Sequence, residues 1–240
     1  MPEEDKNKYL RITEQNISFY NVIADKYDAI LDKEASNQAA RKKVAEVFGN
    51  VVKSGLVLDF GGGTGRDLDW LTEAGYKVIF CEPSSQMKEK AIQTSKGLQQ
   101  YHKIDFLEVE KTDFATWDLS SPSFPHVDAI LANFAVFNCI PDISLLFTSL
   151  SQVMKPGGHL FAVILHNHFL TLIRSHFWSV FKSILSQRPL KFGVRFEDSR
   201  QTVYVHSTSN IKRTSSLYFN FCEQKTLPGS GFVLIHLTRK

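Results

Sequence analysis

Apolar residues in this chain occur either in short continuous runs or at intervals of three and four, and the two patterns alternate. The runs predict strands, whereas the wider spacing predicts helices. Strands are predicted at residues 57–60, 77–81, 106–109, 127–132, 159–165, 201–207 and 232–237. Helices are predicted at residues 17–31, 37–48, 64–74, 143–153 and 169–185. This alternation is typical of a parallel sheet covered on both faces, so we predict one α/β domain over residues 1–240 with an N-terminal helical segment at 1–50.

The first predicted strand runs directly into Gly61-Gly62-Gly63-Thr64-Gly65, and a helical pattern follows at once. Glycine adopts positive φ and has no Cβ, so backbone N–H groups in such a loop can approach a ligand closely. The next helix directs its positive N-terminal end toward the same place. The stretch therefore predicts a cofactor loop, for either a dinucleotide or a cofactor that carries an amino acid.

Spacing and charge distinguish these two kinds of cofactor. A dinucleotide loop has a third glycine where this chain has Arg66. Three carboxylates, those of Asp59, Asp67 and Asp69, flank the loop. Their negative charge disfavours a pyrophosphate and favours a ligand with an ammonium group. The pattern favours the amino-acid-bearing cofactor, and a nicotinamide-dependent oxidoreductase is the alternative enzyme.

The sequence Asp59-x-Gly61-x-Gly63-x-Gly65 resembles the first motif of the class I S-adenosylmethionine-dependent methyltransferases of the small-molecule type. Later stretches follow the same family's order, and the resemblance covers residues 17–165. It implies a Rossmann-like methyltransferase fold, with a mostly parallel seven-stranded sheet and helices on both faces. It also implies S-adenosyl-L-methionine as cofactor and methyl transfer to a small-molecule O, N or C nucleophile.

One carboxylate is placed for the ribose of such a cofactor. Glu82 lies 21 residues after Gly61, about the interval at which a second parallel strand delivers a carboxylate to ribose hydroxyls. Asn133 follows a later strand at its carboxyl end, where ligands bind in these sheets. Both residues are therefore predicted to border the cofactor.

The remaining cofactor contacts are implied by the resemblance. Asp59 and the glycines are expected to hold the amino-acid part, and Met87 is expected near the adenine. Asp113 and Phe114 are expected to contact the adenine as well, although an Asp also commonly starts a turn. The full predicted set is Asp59, Gly61, Gly63, Gly65, Glu82, Met87, Asp113, Phe114 and Asn133.

Three histidines are candidates for a general base, namely His166, His168 and His206. A neutral imidazole near pH 7 suits removal of a proton from a hydroxyl or amine acceptor. A structural hydrogen bond is the alternative role for each, and many methyl transfers need no base because positioning supplies much of the rate. Cys139 is interpreted as a small buried residue rather than a nucleophile.

Residues 166–200 depart from the family's common pattern. Their apolar stripe at helical spacing consists of Phe169, Leu172, Ile173, His176, Phe177, Val180, Phe181, Ile184 and Leu185. Arginines and lysines lie along or just after it. We predict an inserted helical cap over the substrate pocket at 166–200, with core or dimer packing and contact with a membrane surface as the alternatives.

Charge is unevenly distributed along the chain, whose formal net charge is +3. Residues 1–165 hold 17 Lys/Arg against 22 Asp/Glu, and residues 166–240 hold 11 against 3. The basic part can face an anionic small-molecule substrate, a nucleic acid or a membrane, or simply be solvated. Residues 133–138 lack an Asn-Pro-Pro-aromatic motif, which disfavours nucleic acid. A non-catalytic module that binds nucleic acid or membrane is the alternative to an enzyme.

The cysteines and the hydropathy of the chain exclude several other classes. Cys81, Cys139 and Cys222 are odd in number and show no metal-ligand spacing, so neither a disulfide framework nor a metal site is predicted. No apolar run reaches the length of a transmembrane segment, and the acidic N-terminal residues contain no signal-peptide core. These features predict a cytoplasmic protein.

Overall fold

The computed structural model describes residues 3–108, 125–165 and 190–240, apart from the side chains of residues 3–9 and 190. The helices are α1 (Glu3–Asp32), α2 (Ala35–Val51), α3 (Leu68–Glu73), α4 (Ser85–Ser95), α5 (Ile143–Val153) and α6 (Thr208–Ser215). The strands are β1 (Leu56–Phe60), β2 (Lys77–Cys81), β3 (Ile104–Phe106), β4 (Val127–Ala132), β5 (Met154–Leu165), β6 (Leu190–Phe196), β7 (Ser199–Val205), β8 (Phe219–Thr226) and β9 (Phe232–Arg239). Short 3-10 turns lie at Tyr101–Lys103 and Val136–Cys139.

Seven of these strands form one sheet in the order β3-β2-β1-β4-β5-β9-β8. The five strands from β3 to β5 are parallel, and β9 runs antiparallel to both of its neighbours. The mostly parallel seven-stranded sheet is therefore confirmed. Chain order reverses beside β1, whose neighbours are β2 and β4. In open α/β sheets, ligands bind outside the carboxyl ends of the strands at such a reversal.

Alternate residues of the central strands pack against opposite helical layers. Leu58 and Phe60 of β1 lie in one core cluster with residues of α5. Val57, the residue before Leu58, points to the other side and lies in a second cluster with residues of α2 and α3. Because successive strand residues face opposite sides of a sheet, both faces of β1 are buried and helices cover both. Asp59 consequently faces the α2–α3 layer.

The structure extends or moves several predicted elements. Helix α1 begins at Glu3 rather than at residue 17. The prediction missed its first half because that half is polar and shows little apolar periodicity. Strand β3 covers Ile104–Phe106 rather than residues 106–109. Strand β8 was not predicted, because this edge strand is half exposed and mixes polar with apolar residues.

The predicted helical cap is wrong at its C-terminal end. Strands β6 and β7 form a two-stranded antiparallel sheet, which begins at Leu190 and includes the last residues assigned to the cap. Basic side chains alternate with apolar ones along β6, which is a strand pattern rather than a helical one. The helical part of the prediction, including its apolar stripe, falls on residues 166–189 and lies outside the described residues.

Helix α1 is the longest helix in the described ranges, and its mean composition is polar. Within those ranges, no helix combines the length and the apolar character that crossing a membrane requires.

Candidate active site

The glycine loop turns sharply at the carboxyl end of β1. Gly61 and Gly63 have φ angles of +73° and +61°, in the left-handed region that favours glycine. A Cβ on Gly61 would lie 2.6 Å from Val136 Cγ1, whereas one on Gly63 would meet only Tyr27, at 3.8 Å. Both glycines line a cavity, so the loop brings bare backbone to its wall. Gly65 is turned away and packs on α4, where its Cβ would lie 2.9 Å from Ala91.

The cavity lies over the carboxyl ends of β1, β2 and β4 and encloses about 840 Å³, including its open mouth. Its floor is the glycine loop with Glu82 and Asn133, and helix α1 covers it from above. Of the predicted cofactor residues, Gly61, Gly63, Glu82, Met87 and Asn133 line it. Asp113 and Phe114 lie outside the described residues. The cavity therefore collects most of the predicted site that the structure describes.

Glu82 directly follows β2, and backbone N–H groups hold its carboxylate. Gly63 N donates to its Oε2 at 2.9 Å, and Ser84 N donates to its Oε1 at 2.8 Å. Burial raises the pKa of Glu82 to about 7, although the two backbone donors oppose that shift. A carboxylate has two acceptor oxygens, so such a group can take both hydroxyls of a diol. The geometry suits a diol placed beside the glycine loop.

Asp67 lies at the centre of a charged network beside the loop. Its Oδ2 forms an ion pair with Arg41 and accepts from Asn133 Nδ2 at 3.0 Å. Its Oδ1 accepts from Trp70 Nε1 at 2.8 Å. The Arg41 guanidinium also lies over the Phe134 ring, 4.4 Å from its centroid. Arg41, Asp67 and Asn133 all line the cavity, so a cation and an anion are presented together at this end.

Arg41 was absent from the predicted site, although the sequence holds a signal for it. It lies three residues before Val44 and seven before Phe48, and both of these are buried on α2. A cation within the apolar stripe of a helix is unusual, since that stripe faces the core. Such a cation needs a buried partner, and Asp67 supplies it.

Asp59, predicted to hold the amino-acid part of the cofactor, does not reach the cavity. Its side chain is fully buried beneath the glycine loop, on the side of the α2–α3 layer. Neither carboxylate oxygen has a hydrogen-bond partner among the described residues. Burial, together with the nearby charge of Asp67, raises the pKa of Asp59 well above its usual value. Asp59 therefore lies beneath the loop, and Asp67 is the carboxylate that faces the cavity.

The loop after β4 is strained. Phe134 and Ala135 have φ angles of +52° and +69°, which cost non-glycine residues about 1–3 kcal/mol each. Two hydrogen bonds hold this geometry: Asn133 Oδ1 accepts from Phe134 N at 3.1 Å, and Ala135 N donates to Val163 O at 2.8 Å. The turn places Asn133, Phe134 and Val136 on the cavity wall.

Helix α1 crosses the cavity with residues at seven-residue intervals. Thr13, Tyr20 and Tyr27 all line it, and intervals of seven place side chains on one helix face about 10 Å apart. Tyr27 lies over Gly63, at the loop end. Thr13 and Tyr20 therefore cover the part of the cavity farther from the loop.

Both halves of α1 are tied down. Asn16 Oδ1 accepts from Thr202 N at 2.9 Å, and its Nδ2 donates to Thr202 O and to Cys139 O, each at 3.1 Å. The amide therefore pairs with the free edge of β7 as a neighbouring strand would.

Near the other end of α1, Thr64 donates to Asp28 at 2.7 Å and Arg66 pairs with Asp28 and Asp32. Arg66, which replaces the dinucleotide glycine, thus anchors α1 on the loop.

The far end of the cavity is neutral. Gln201 Nε2 donates to Tyr20 Oη at 2.8 Å and contacts Cys139 Sγ at 3.2 Å. Burial raises the pKa of Cys139 to about 11 and that of Tyr20 well above its usual value. Ile17 and Ile140 complete this wall, so it is largely apolar with a few uncharged polar groups.

His206, one candidate general base, lies behind this wall. Its Nε2–H donates to Ile140 O at 2.9 Å, and the ring does not line the cavity. Burial lowers the pKa of His206 to about 4. The structure therefore gives it a structural hydrogen bond, while His166 and His168 lie outside the described residues.

Fold and site together define a methyltransferase. The sequence profile of a methyltransferase domain matches residues 31–209. The chain therefore belongs to the methyltransferase-domain family, and the predicted class, an S-adenosylmethionine-dependent methyltransferase, is confirmed. The family match gives no support to a nicotinamide-dependent oxidoreductase or to a non-catalytic module.

A curated relative is similar over about half of the chain. The tRNA 5-carboxymethoxyuridine methyltransferase of Escherichia coli (strain K12) is 32% identical over 116 residues, which are 48% of this chain and 42% of that protein. The chain thus matches about two-fifths of the length of this curated relative.

Solved structures share the fold over nearly the whole chain. The DhpI complex with S-adenosylhomocysteine has a TM-score of 0.67 at 18% identity, covering 95% of this chain and 97% of that one. The 1,6-didemethyltoxoflavin-N1-methyltransferase of Burkholderia thailandensis has a TM-score of 0.66 at 12% identity, with 98% and 90% covered. That structure contains 1,6-didemethyltoxoflavin and S-adenosylhomocysteine.

Proposed function

We propose that this protein transfers the methyl group of S-adenosyl-L-methionine to a small-molecule O, N or C nucleophile. The observation that carries the proposal is the division of one cavity into two ends. Glu82 and the Arg41–Asp67 pair lie at the loop end, and uncharged groups line the other. A charged, amino-acid-bearing cofactor fits the first end, and a small acceptor fits the second.

The residues at the loop end match the parts of the cofactor. The Glu82 carboxylate, with two acceptor oxygens, suits the two ribose hydroxyls, and the glycine loop offers backbone that carries no side chain. Arg41 is suited to the carboxylate of the methionine part, and Asp67 with Asn133 to its ammonium group. Met87 lines the cavity near Glu82 and is assigned to the adenine. Asp113 and Phe114 keep the adenine role that the sequence resemblance implies.

Methyl transfer from this cofactor requires mainly that the protein position the reacting atoms. Bound S-adenosylmethionine supplies a methyl group on a sulfonium, which is already electrophilic. Helix α1 then covers the cavity and excludes water, and its anchors at Asn16 and Asp28 hold it in place. Tyr20 lines the cavity, and its hydroxyl, which accepts from Gln201, can orient an acceptor atom through a neutral hydrogen bond. Alignment of the reacting atoms can account for much of the rate without a base.

Calorimetric titration with S-adenosylmethionine, S-adenosylhomocysteine and NAD tests the cofactor assignment. Micromolar binding of the two sulfur compounds and none of NAD is expected. Glu82→Ala should weaken that binding about 100-fold, because two hydrogen bonds to a charged group are lost. Glu89→Ala is the matched control, since this exposed glutamate lies on α4 away from the cavity lining. Binding of NAD alone would overturn the proposal.

A tRNA nucleotide is a second candidate acceptor. The observation in its favour is the 32% identity to a tRNA methyltransferase over 116 residues. Transfer of labelled methyl groups separates the two candidates: incorporation into total tRNA, but into no compound of a panel of phenols, amines and carboxylates, would replace the small-molecule acceptor.

A further inference from the structure

The hairpin of β6 and β7 carries a row of cations on one face. In its register Lys191 is opposite Tyr204, Gly193 is opposite Thr202, and Arg195 is opposite Arg200. Alternate strand residues share a face, so Lys191, Arg195 and Arg200 lie on the same one. We call these three residues the cation row. All three are exposed, and none forms an ion pair with another residue in the part of the chain that the structure describes.

The cation row reduces the stability of the hairpin that carries it. Arg195 and Arg200 are directly opposite each other, where like charges repel. Gly193 lies between Lys191 and Arg195, and glycine within a strand weakens it. A Cβ on Gly193 would lie 2.6 Å from Arg200 Nε, so the guanidinium lies across bare backbone there. The hairpin therefore concentrates three positive charges on one face of β6 and β7 at a cost in folding free energy.

The opposite face of the hairpin packs on the active site. Phe196 packs against the cluster that contains Tyr20 and Tyr27, and Gln201 hydrogen-bonds to Tyr20. The cation row therefore faces away from the cavity. Of the two acidic residues at the turn, Glu197 is paired with Lys26 at 2.6 Å, which leaves Asp198 as the opposing charge. None of its three residues lines the cavity and all three are exposed, so the row is available to an external partner.

We propose that the cation row docks the protein on the surface of an anionic lipid bilayer. Lipid headgroups require only cations near the surface, whereas sites for single-stranded nucleic acid combine cations with exposed aromatic rings. The aromatic residue on this hairpin face, Tyr204, is only 5% exposed. Each cation near an anionic surface strengthens binding about fivefold, so three supply about a 100-fold gain. Docking is independent of methyl transfer, so either proposal can fail alone.

Sedimentation with lipid vesicles tests the docking proposal on the full chain. We expect binding to vesicles of phosphatidylcholine mixed with phosphatidylglycerol, and none to phosphatidylcholine alone. Binding should disappear between about 0.1 M and about 1 M salt, as the screening length falls from about 10 Å to about 3 Å. The combined substitution Lys191→Gln, Arg195→Gln and Arg200→Gln should weaken binding about 100-fold.

Two further variants keep the result interpretable. Lys53→Gln with Lys77→Gln and Lys96→Gln removes the same charge from exposed positions elsewhere and should keep vesicle binding within about twofold. Lys191→Arg with Arg195→Lys and Arg200→Lys keeps the charge and should bind like the parent protein. Retained S-adenosylhomocysteine binding shows that each variant is folded. Unchanged vesicle binding without the row, no binding at all, or row-dependent binding to total tRNA but not to vesicles would overturn the proposal.

Discussion

The two ends of the cavity are built differently. The loop end is formed largely by β1, the glycine loop and β2, which lie close together in the chain. It carries the Glu82 carboxylate, held by backbone N–H groups, and the Arg41–Asp67 ion pair. The far end is assembled from α1, the turn at Val136–Cys139 and β7, which are distant in sequence and contribute uncharged groups. A cofactor common to a family can thus be bound by a local motif, while the acceptor wall can change independently.

The first expected effect is on cofactor binding, as a pH dependence confined to the loop end. The pKa of Glu82 is raised to about 7, and ribose hydroxyls would bind its ionised form. Affinity for S-adenosylhomocysteine should therefore fall about tenfold between pH 8 and pH 6, as the carboxylate takes up a proton. Calorimetry across that range measures it.

Two variants make the pH experiment specific. Glu82→Gln should bind weakly and lose this dependence, whereas Asp59→Asn should retain it, because Asp59 lies outside the cavity. An unchanged pH profile in Glu82→Gln would show that another group titrates.

Arg41 tests whether charge pairing also stabilises the fold at the loop end. Arg41→Met leaves Asp67 buried without its cation, so the free energy of unfolding should fall by about 3 kcal/mol. Adding Asp67→Asn should restore about half of that loss, since no buried charge remains. Urea unfolding of the parent, both single variants and the double variant measures this coupling. Additive losses would mean that the pair contributes little.

Tyr20 tests the independence of the far end. Tyr20→Phe removes one hydroxyl and its bond with Gln201, which should cost about 1 kcal/mol of stability. Affinity for S-adenosylhomocysteine should stay within about twofold, while KM for the acceptor should rise more than kcat falls. Gln201→Glu changes the other partner of this bond: it retains a side-chain oxygen as acceptor and loses the Nε2 donor. A large loss of cofactor affinity in Tyr20→Phe would contradict the division of the cavity.

The smallest expected effect concerns the strained loop that separates the two ends. Ala135→Gly should stabilise the protein by about 1 kcal/mol, because glycine adopts a φ of +69° without strain. Ala132→Gly, in strand β4, should instead destabilise it by about 1 kcal/mol. Thermal unfolding of both variants provides the comparison, and equal losses would show that Ala135 is unstrained.

The loop end was predictable because its parts are local. A strand, a run of glycines and a helix in immediate succession specify the loop, and the interval from Gly61 to Glu82 is one strand-helix-strand unit. Asn133 follows from the same logic, because it comes just after the carboxyl end of a strand, whereas Met87 was implied by the resemblance to methyltransferases. The structure places Asp67 on the cavity wall and Asp59 beneath the loop, and no local pattern shows which of these two flanking carboxylates faces the cavity.

The amino-acid sequence by itself determined the α/β architecture, the position of the cofactor loop and the carboxylate at the end of β2, because periodicity and short-range spacing specify them. Only the tertiary structure decided that Arg41 pairs with Asp67, that Asn16 pairs with the edge of β7, and that Gln201 reaches Tyr20. It also showed a hairpin at residues 190–200, where the last part of a helical cap was expected. These contacts join residues far apart in the chain, and they depend on packing and strand register rather than on local preference.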